Sequence, residues 1–241
     1  EVVIQPSCSL LHVPYSLEYE NKLSNQVKAY FSFAYEKLDE LRELCILQEE
    51  NQENDSVLLQ NKQLFKKERL YQDSEVREQV AALDEDDFCR EKSRKERRKI
   101  QAEKLALPLL PTTTIGSFPQ TPEVKKNRTR YRNGEISKSE YDEQVKIFIE
   151  RCIRFQEDIG LDVLVHGEYE RNDMVEFFGE NLSGYVFTEK AWVQSYGTRC
   201  VKPPIIFGDI KRTKSITKEY SVFAQRLSEK PVKGMLTGPV T

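Results

Sequence analysis

The side chains able to do metal or nucleophilic chemistry are few and scattered. Cys stands at 8, 45, 89, 152 and 200, and His at 12 and 166. No two Cys have CxxC or zinc-finger spacing and the two His are 154 residues apart, so a His/Cys metal site is hard to assemble from this inventory. An odd cysteine count fits a reducing compartment better than a disulfide framework. His166 precedes Glu168 by two residues and has no Cys or second His beside it in sequence, which points to a packed or hydrogen-bonded histidine. Carboxylates crowd one stretch instead, at Glu168, Glu170, Asp173, Glu176 and Glu180. Nothing local singles out one of these acids from ordinary loop residues. Ile115-Gly116-Ser117 is by itself a commonplace turn. There is no GxGxxG and no GxxxxGK[ST], so two common nucleotide cradles are absent.

These residues sit on a chain whose character changes along its length. Val2-Val3-Ile4 reads as a short strand, bracketed by a loop from Pro6 to Pro14. Residues 20–47 carry Leu23, Val27, Tyr30, Phe31, Ala34, Leu38, Leu41 and Leu44 at mostly three- and four-residue steps, which predicts a helix. Residues 48–56 are rich in Gln, Glu and Asn. Asp84–Lys104 holds seven acids and eight bases, which predicts a solvated helix and a linker rather than a basic nucleic-acid face. After Pro108 and Pro111 strands and helices alternate. Thr112–Ile115, Leu161–Val165, Pro204–Phe207 and Val232–Leu236 read as strands. Ser137-x-x-Glu140 is a capping box ahead of Tyr141, Val145, Phe148, Ile149, Cys152 and Ile153, and Gly160 closes that helix. A further helix is expected near Ile216–Leu227. Strands separated by helices imply a parallel sheet, and glycine-containing polar sequences succeed the strands, as in a β/α barrel.

Composition excludes some classes outright. The net charge of −3 excludes a nucleic-acid binder working by bulk charge. No apolar run approaches a membrane span, and the N-terminus lacks a basic signal-peptide region. The alternating part, 108–241, has about half of the roughly 250 residues that a β/α barrel requires. The expectation is an internal piece of a larger two-barrel protein.

Long stretches carry a specific resemblance. They are Pro111-Thr112-Thr113-Thr114-Ile115-Gly116-Ser117-Phe118-Pro119, Gly160-Leu161-Asp162-Val163-Leu164-Val165-His166-Gly167-Glu168, and Glu170-Arg171-Asn172-Asp173-Met174-Val175-Glu176. Trp192-Val193-Gln194-Ser195-Tyr196-Gly197 with Arg199-Cys200-Val201-Lys202-Pro203-Pro204 comes next, then Lys230 through Thr241. In this order they closely resemble cobalamin-independent methionine synthase, and Pro6–Pro14 resembles the end of that family's first barrel.

The resemblance implies a methyl transfer from 5-methyltetrahydropteroyltri-L-glutamate to L-homocysteine, giving L-methionine. It implies a zinc ion that activates the homocysteine thiol, with ligands on strands beyond Thr241 and so no metal ligand and no catalytic residue in this chain. Carried over by residue, Ile115, Gly116 and Ser117 would hold the amino-acid end of homocysteine, and Glu168 its ammonium. Arg199 and Cys200 would contact the folate. The implied fold is α/β of (β/α)8 TIM-barrel type. Residues 1–47 would close the first barrel, 48–107 form a charged helical linker, and 108–241 give an incomplete C-terminal barrel of about four strands. Expected partners are homocysteine and methyl-folate, with no nucleic acid and no membrane, in the cytoplasm. Open sheet edges would invite self-association. Two other readings stay open: a half-barrel that binds weakly without catalysing, and a structural piece in which 48–104 serves as a spacer.

Overall fold

The computed structural model describes residues 3–50, 56–67, 70–236 and 238. The expected strand residue Val2, most of the Gln/Glu/Asn-rich tract (51–55) and Thr237 lie outside the described residues. In chain order the elements are α1 (Asn25–Lys28), α2 (Ala34–Glu50), α3 (Ser56–Lys66), α4 (Ser74–Ala81), α5 (Arg94–Leu105), α6 (Pro122–Arg132), α7 (Lys138–Asp158), β1 (Leu164–Val165), α8 (Met174–Glu180), β2 (Leu182–Val186), β3 (Val193–Gln194), β4 (Cys200–Val201), β5 (Ile205–Arg212), α9 (Lys218–Arg226) and β6 (Val232–Lys233). They form two compact units: 1–78 with 182–212, and 79–181 with 213–241.

The second unit is built on α7. Ser137 Oγ accepts from the Glu140 amide at 3.2 Å and the Glu140 carboxylate accepts from the Ser137 amide at 2.8 Å, the reciprocal cap that the sequence predicts. The helix then buries Tyr141, Val145, Phe148, Ile149, Cys152 and Ile153 on one stripe, against Val124 of α6, Leu164 of β1 and Tyr220 and Ala224 of α9. Each large aliphatic side chain removed from water there contributes about 1.5–3 kcal/mol. Gly160, at φ +81°, ends the helix and donates to Glu157 O. Gln156, fully buried, donates to Val165 O at 2.7 Å and accepts from Val165 N at 2.9 Å, so it completes both backbone groups of the strand it covers.

β1 is the centre of a short parallel arrangement. Leu164 and Val165 pair with Val232 and Lys233 of β6, and Gly167 bridges to Ser117 on the other side. The segment expected as a strand at Thr112–Ile115 is not one: its bridge is at Ser117, and Thr112 O accepts from the Asp162 and Val163 amides at 3.2 and 3.0 Å. It is tied down by side chains: Asp162 accepts from Thr112 N at 2.8 Å, and Lys233 Nζ donates to Thr114 O at 2.6 Å. Helix α6 is an addition to the expected elements, although Thr121 caps it and Pro122 opens it, both standard start signals.

The first unit corrects three sequence expectations. Pro204–Phe207, expected in the parallel series, belongs to the longer β5, which pairs antiparallel with β2 through Leu182↔Arg212 and Val186↔Ile205. The chain between β2 and β5 holds the antiparallel β3–β4 pair in place of the crossover helix that a parallel neighbour usually needs. Phe207 turns into an aromatic cluster, with Tyr30, Phe31 and Tyr71 ring centroids 5.7, 5.4 and 5.6 Å away. The helix expected over 20–47 is broken into α1 and α2. The break buries Phe33, packed with Leu17 and Ala191. Glu36 stabilises it by accepting from Phe33 N at 3.2 Å, Leu17 N at 2.9 Å and the Ser16 hydroxyl at 2.9 Å. Val3 and Ile4 are not in a strand.

Within Asp84–Lys104, Glu85–Phe88 forms a short 3-10 helix and the α-helix begins only at Arg94, where Ser93 and Glu96 form another capping box; α5 buries no residue. Among the described residues no helix is long and apolar enough to cross a membrane.

Candidate functional site

Glu168 lies three residues beyond β1 and is held in a left-handed backbone conformation, φ +60°. The turn sends its side chain inward, and the residue is 6% exposed. Its carboxylate lies against Gly116: a Cβ on Gly116 would stand 2.6 Å from Glu168 Oε1. The Ser117–Gly167 bridge and the Phe118 N to Gly167 O hydrogen bond, 3.0 Å, fix the two strand ends side by side. So Gly116, Ser117 and Glu168, about fifty residues apart in sequence, come together where the isolated Ser117–Gly167 bridge joins the 112–117 segment to the end of β1. Gly116 is buried, while Ser117 is exposed and Ile115 is 80% exposed. A buried carboxylate therefore lies close to an exposed serine.

Behind Glu168 stands a buried ionic group. Arg171 is 3% exposed; its Nε donates to Glu168 Oε2 at 3.1 Å and its Nη2 lies 3.0 Å from Oε1. Nη1 faces Glu170 Oε1 at 3.4 Å, and Glu170 meets His166 Nε2 at 3.0 Å. Burial pushes the Glu170 carboxyl up, but hydrogen bonding and charge from His166, with the charge of Arg171, outweigh it and hold the group below the usual carboxylate range. His166 is thus a buried, hydrogen-bonded residue. Arg128, also buried, donates from Nη2 to Arg171 O at 2.9 Å and pins the loop backbone. Glu170 and Arg171 also line a polar cleft of about 630 Å³ with Arg128, Tyr141, Asp173 and Tyr220, whereas Glu168 does not line it.

Arg199 and Cys200 lie in the other compact unit, at the β3–β4 turn, where Arg199 N donates to Tyr196 O at 3.1 Å. Both are exposed, so Cys200 is not the small buried residue that a purely structural role would require. Trp192 is half-exposed beneath Lys202 Nζ, 5.3 Å from the ring centre. Sequence reasoning misses Arg171, Glu170 and Arg128 as a set. The available signal is the run Glu168-Tyr169-Glu170-Arg171, which begins three residues after the end of an apolar strand.

A family model described as "Cobalamin-independent synthase, Catalytic domain" matches residues 110–241. The chain belongs to this cobalamin-independent synthase family. Curated relatives cover its whole length. One from Lactococcus lactis subsp. cremoris (strain MG1363) is 55% identical over 240 residues, and one from Campylobacter jejuni (strain RM1221) is 57% identical over 242. Both are named 5-methyltetrahydropteroyltriglutamate–homocysteine methyltransferase, and the chain spans 31% and 32% of their lengths. A solved B12-independent methionine synthase from Shewanella sp. W3-18-1 aligns with 55% of this chain and 39% of its own, at TM-score 0.46 and 25% identity. Within the family match fall all six residues singled out for substrate contact, Ile115, Gly116, Ser117, Glu168, Arg199 and Cys200.

The zinc that the resemblance implies finds no fitting donor set among the described residues. Cys8, Cys45, Cys89 and Cys200 are exposed, Cys152 is buried on Gln156, and His166 is engaged by Glu170. Among the described residues no three His, Cys, Asp or Glu side chains group as metal ligands.

Proposed function

We propose that this chain supplies the homocysteine-holding part of an enzyme that transfers the methyl group of 5-methyltetrahydropteroyltri-L-glutamate to L-homocysteine, giving L-methionine. The observation that carries the reading is the buried Glu168 carboxylate set against Gly116 and Ser117 at adjoining strand ends. Glu168 accepts from the substrate ammonium. The backbone at Ile115–Gly116 and the Ser117 hydroxyl receive its carboxylate, and the thiol end is left free to react. Arg199 offers a planar fork to a folate glutamate carboxylate, with Cys200 beside it.

The architecture we propose is a (β/α)8 barrel in which 112–117, β1 and β6 are neighbouring strands. Residues 1–47 belong to a preceding barrel and 48–107 connect the two. A soluble cytoplasmic setting accords with this biosynthetic chemistry.

Glu168→Gln keeps the shape and removes the charge. In the complete enzyme carrying this sequence, homocysteine affinity measured by calorimetry should fall by roughly 1.5–3 kcal/mol, the worth of a charged hydrogen bond. Unchanged affinity would move the role to another residue.

A further inference from the structure

We infer that Arg171 is the positioning residue for Glu168, clamping both carboxylate oxygens so that their remaining lone pairs are presented to the substrate ammonium. This rests on the proposed role of Glu168 and adds the device that holds it. The guanidinium engages Glu168 through Nε at 3.1 Å and Nη2 at 3.0 Å, one contact to each oxygen. Such a two-point fork fixes the plane of a carboxylate as a single ammonium cannot.

The fork is itself immobilised. Nη2 also donates to Met235 O at 3.2 Å, and Nη1 faces Glu170 at 3.4 Å. Glu170 is anchored by His166, and the rings of Phe177 and Phe178 lie 5.8 and 5.5 Å from the guanidinium carbon. Arg171 thus meets Glu168 directly, with Glu170 and His166 behind it.

An ionised carboxylate has about four acceptor sites. The fork uses one on each oxygen, which leaves one on each for the ligand. Without Arg171 nothing fixes the plane of the Glu168 carboxylate, which is then free to rotate away from the ammonium. Arg171 acts through Glu168 and needs no contact with substrate.

The test is kinetic and calorimetric, in the complete enzyme, on Arg171→Gln, Arg171→Lys, Glu168→Gln and the double variant Glu168→Gln/Arg171→Gln. Arg171→Gln should raise the homocysteine Kd and KM about tenfold or more, the scale of one lost charged hydrogen bond, while the methyl-folate KM stays unchanged. Arg171→Lys keeps the charge without the fork and should fall between Arg171→Gln and wild type. In the Glu168→Gln background the Arg171 change should add nothing, since two residues acting as one unit are not additive.

Wild-type homocysteine affinity in Arg171→Lys, or in a folded Arg171→Gln, with Glu168→Gln impaired, overturns this inference alone. So does an equal Arg171 effect with and without Glu168. If Glu168→Gln itself binds homocysteine normally, the functional reading falls first and the inference with it.

Discussion

Helices α5 and α7 begin with the same device and end in opposite situations. Ser93 with Glu96 and Ser137 with Glu140 form the same reciprocal cap. Yet α5 buries nothing, while α7 carries the largest fully buried side chains of the second unit. A capping box decides where a helix starts. Whether the helix becomes core is decided by the residues at three- and four-residue spacing beyond the cap: Lys, Arg and Glu in one, Val145, Ile149 and Ile153 in the other. Local hydrogen bonding and tertiary burial are separable contributions, and the two helices allow each to be varied alone.

The largest separation should come from the apolar stripe. Ile149→Ala removes a side chain with no solvent exposure and should cost about 2–5 kcal/mol in chemical denaturation of the second unit. Ile100→Ala in α5, where the residue is 45% exposed, should stay within about 0.5 kcal/mol. Comparable losses at both sites would mean that α5 is covered in solution.

The caps should give a smaller and more even result. Ser137→Ala and Ser93→Ala each remove one cap, worth about 1 kcal/mol. The first should lower the denaturation midpoint of the unit. The second should shorten α5 by amide exchange and leave that midpoint in place.

Acid should give the smallest effect. Hydrogen bonds from the Ser93 hydroxyl and amide hold Glu96 below the usual carboxylate range, and those from the Ser137 amide and hydroxyl do the same for Glu140. A lowered folded-state pKa gives stabilisation that is present above the ordinary value, about 4.3, and is lost as pH falls through the folded one. Below about pH 4 the first-turn amides of α5 should therefore exchange freely while those of α7, held by burial, remain protected. Equal loss of protection would show that the cap, not the stripe, holds α7.

The same division explains what the sequence discloses. The start, stripe and stop of α7 are local patterns, and the structure reproduces them. The antiparallel β2–β5 ribbon is not legible, because a short apolar run such as Ile205–Phe207 looks the same in either kind of sheet and only its partner decides. The break between α1 and α2 is hidden by Tyr30 and Phe31, which fit a helical face but serve an aromatic cluster around Phe207. At the candidate site, Gly116, Ser117 and Glu168 come from family resemblance, and their meeting place is visible only in three dimensions. Arg171 escapes because an arginine three residues after a glutamate is ordinary on any surface loop. Its meaning arises from being buried there.

Of the thiols, Cys152 alone lies in the core, 4% exposed, its Sγ 3.2 Å from Gln156 Nε2. Burial pushes its pKa up as well. Cys8, Cys45, Cys89 and Cys200 are open to solvent. The chain thus carries an internal clock. A thiol reagent will consume the exposed groups at once and reach Cys152 only as often as α7 lifts from β1. The slow phase of labelling then counts openings of the second unit directly, with no probe added to the protein.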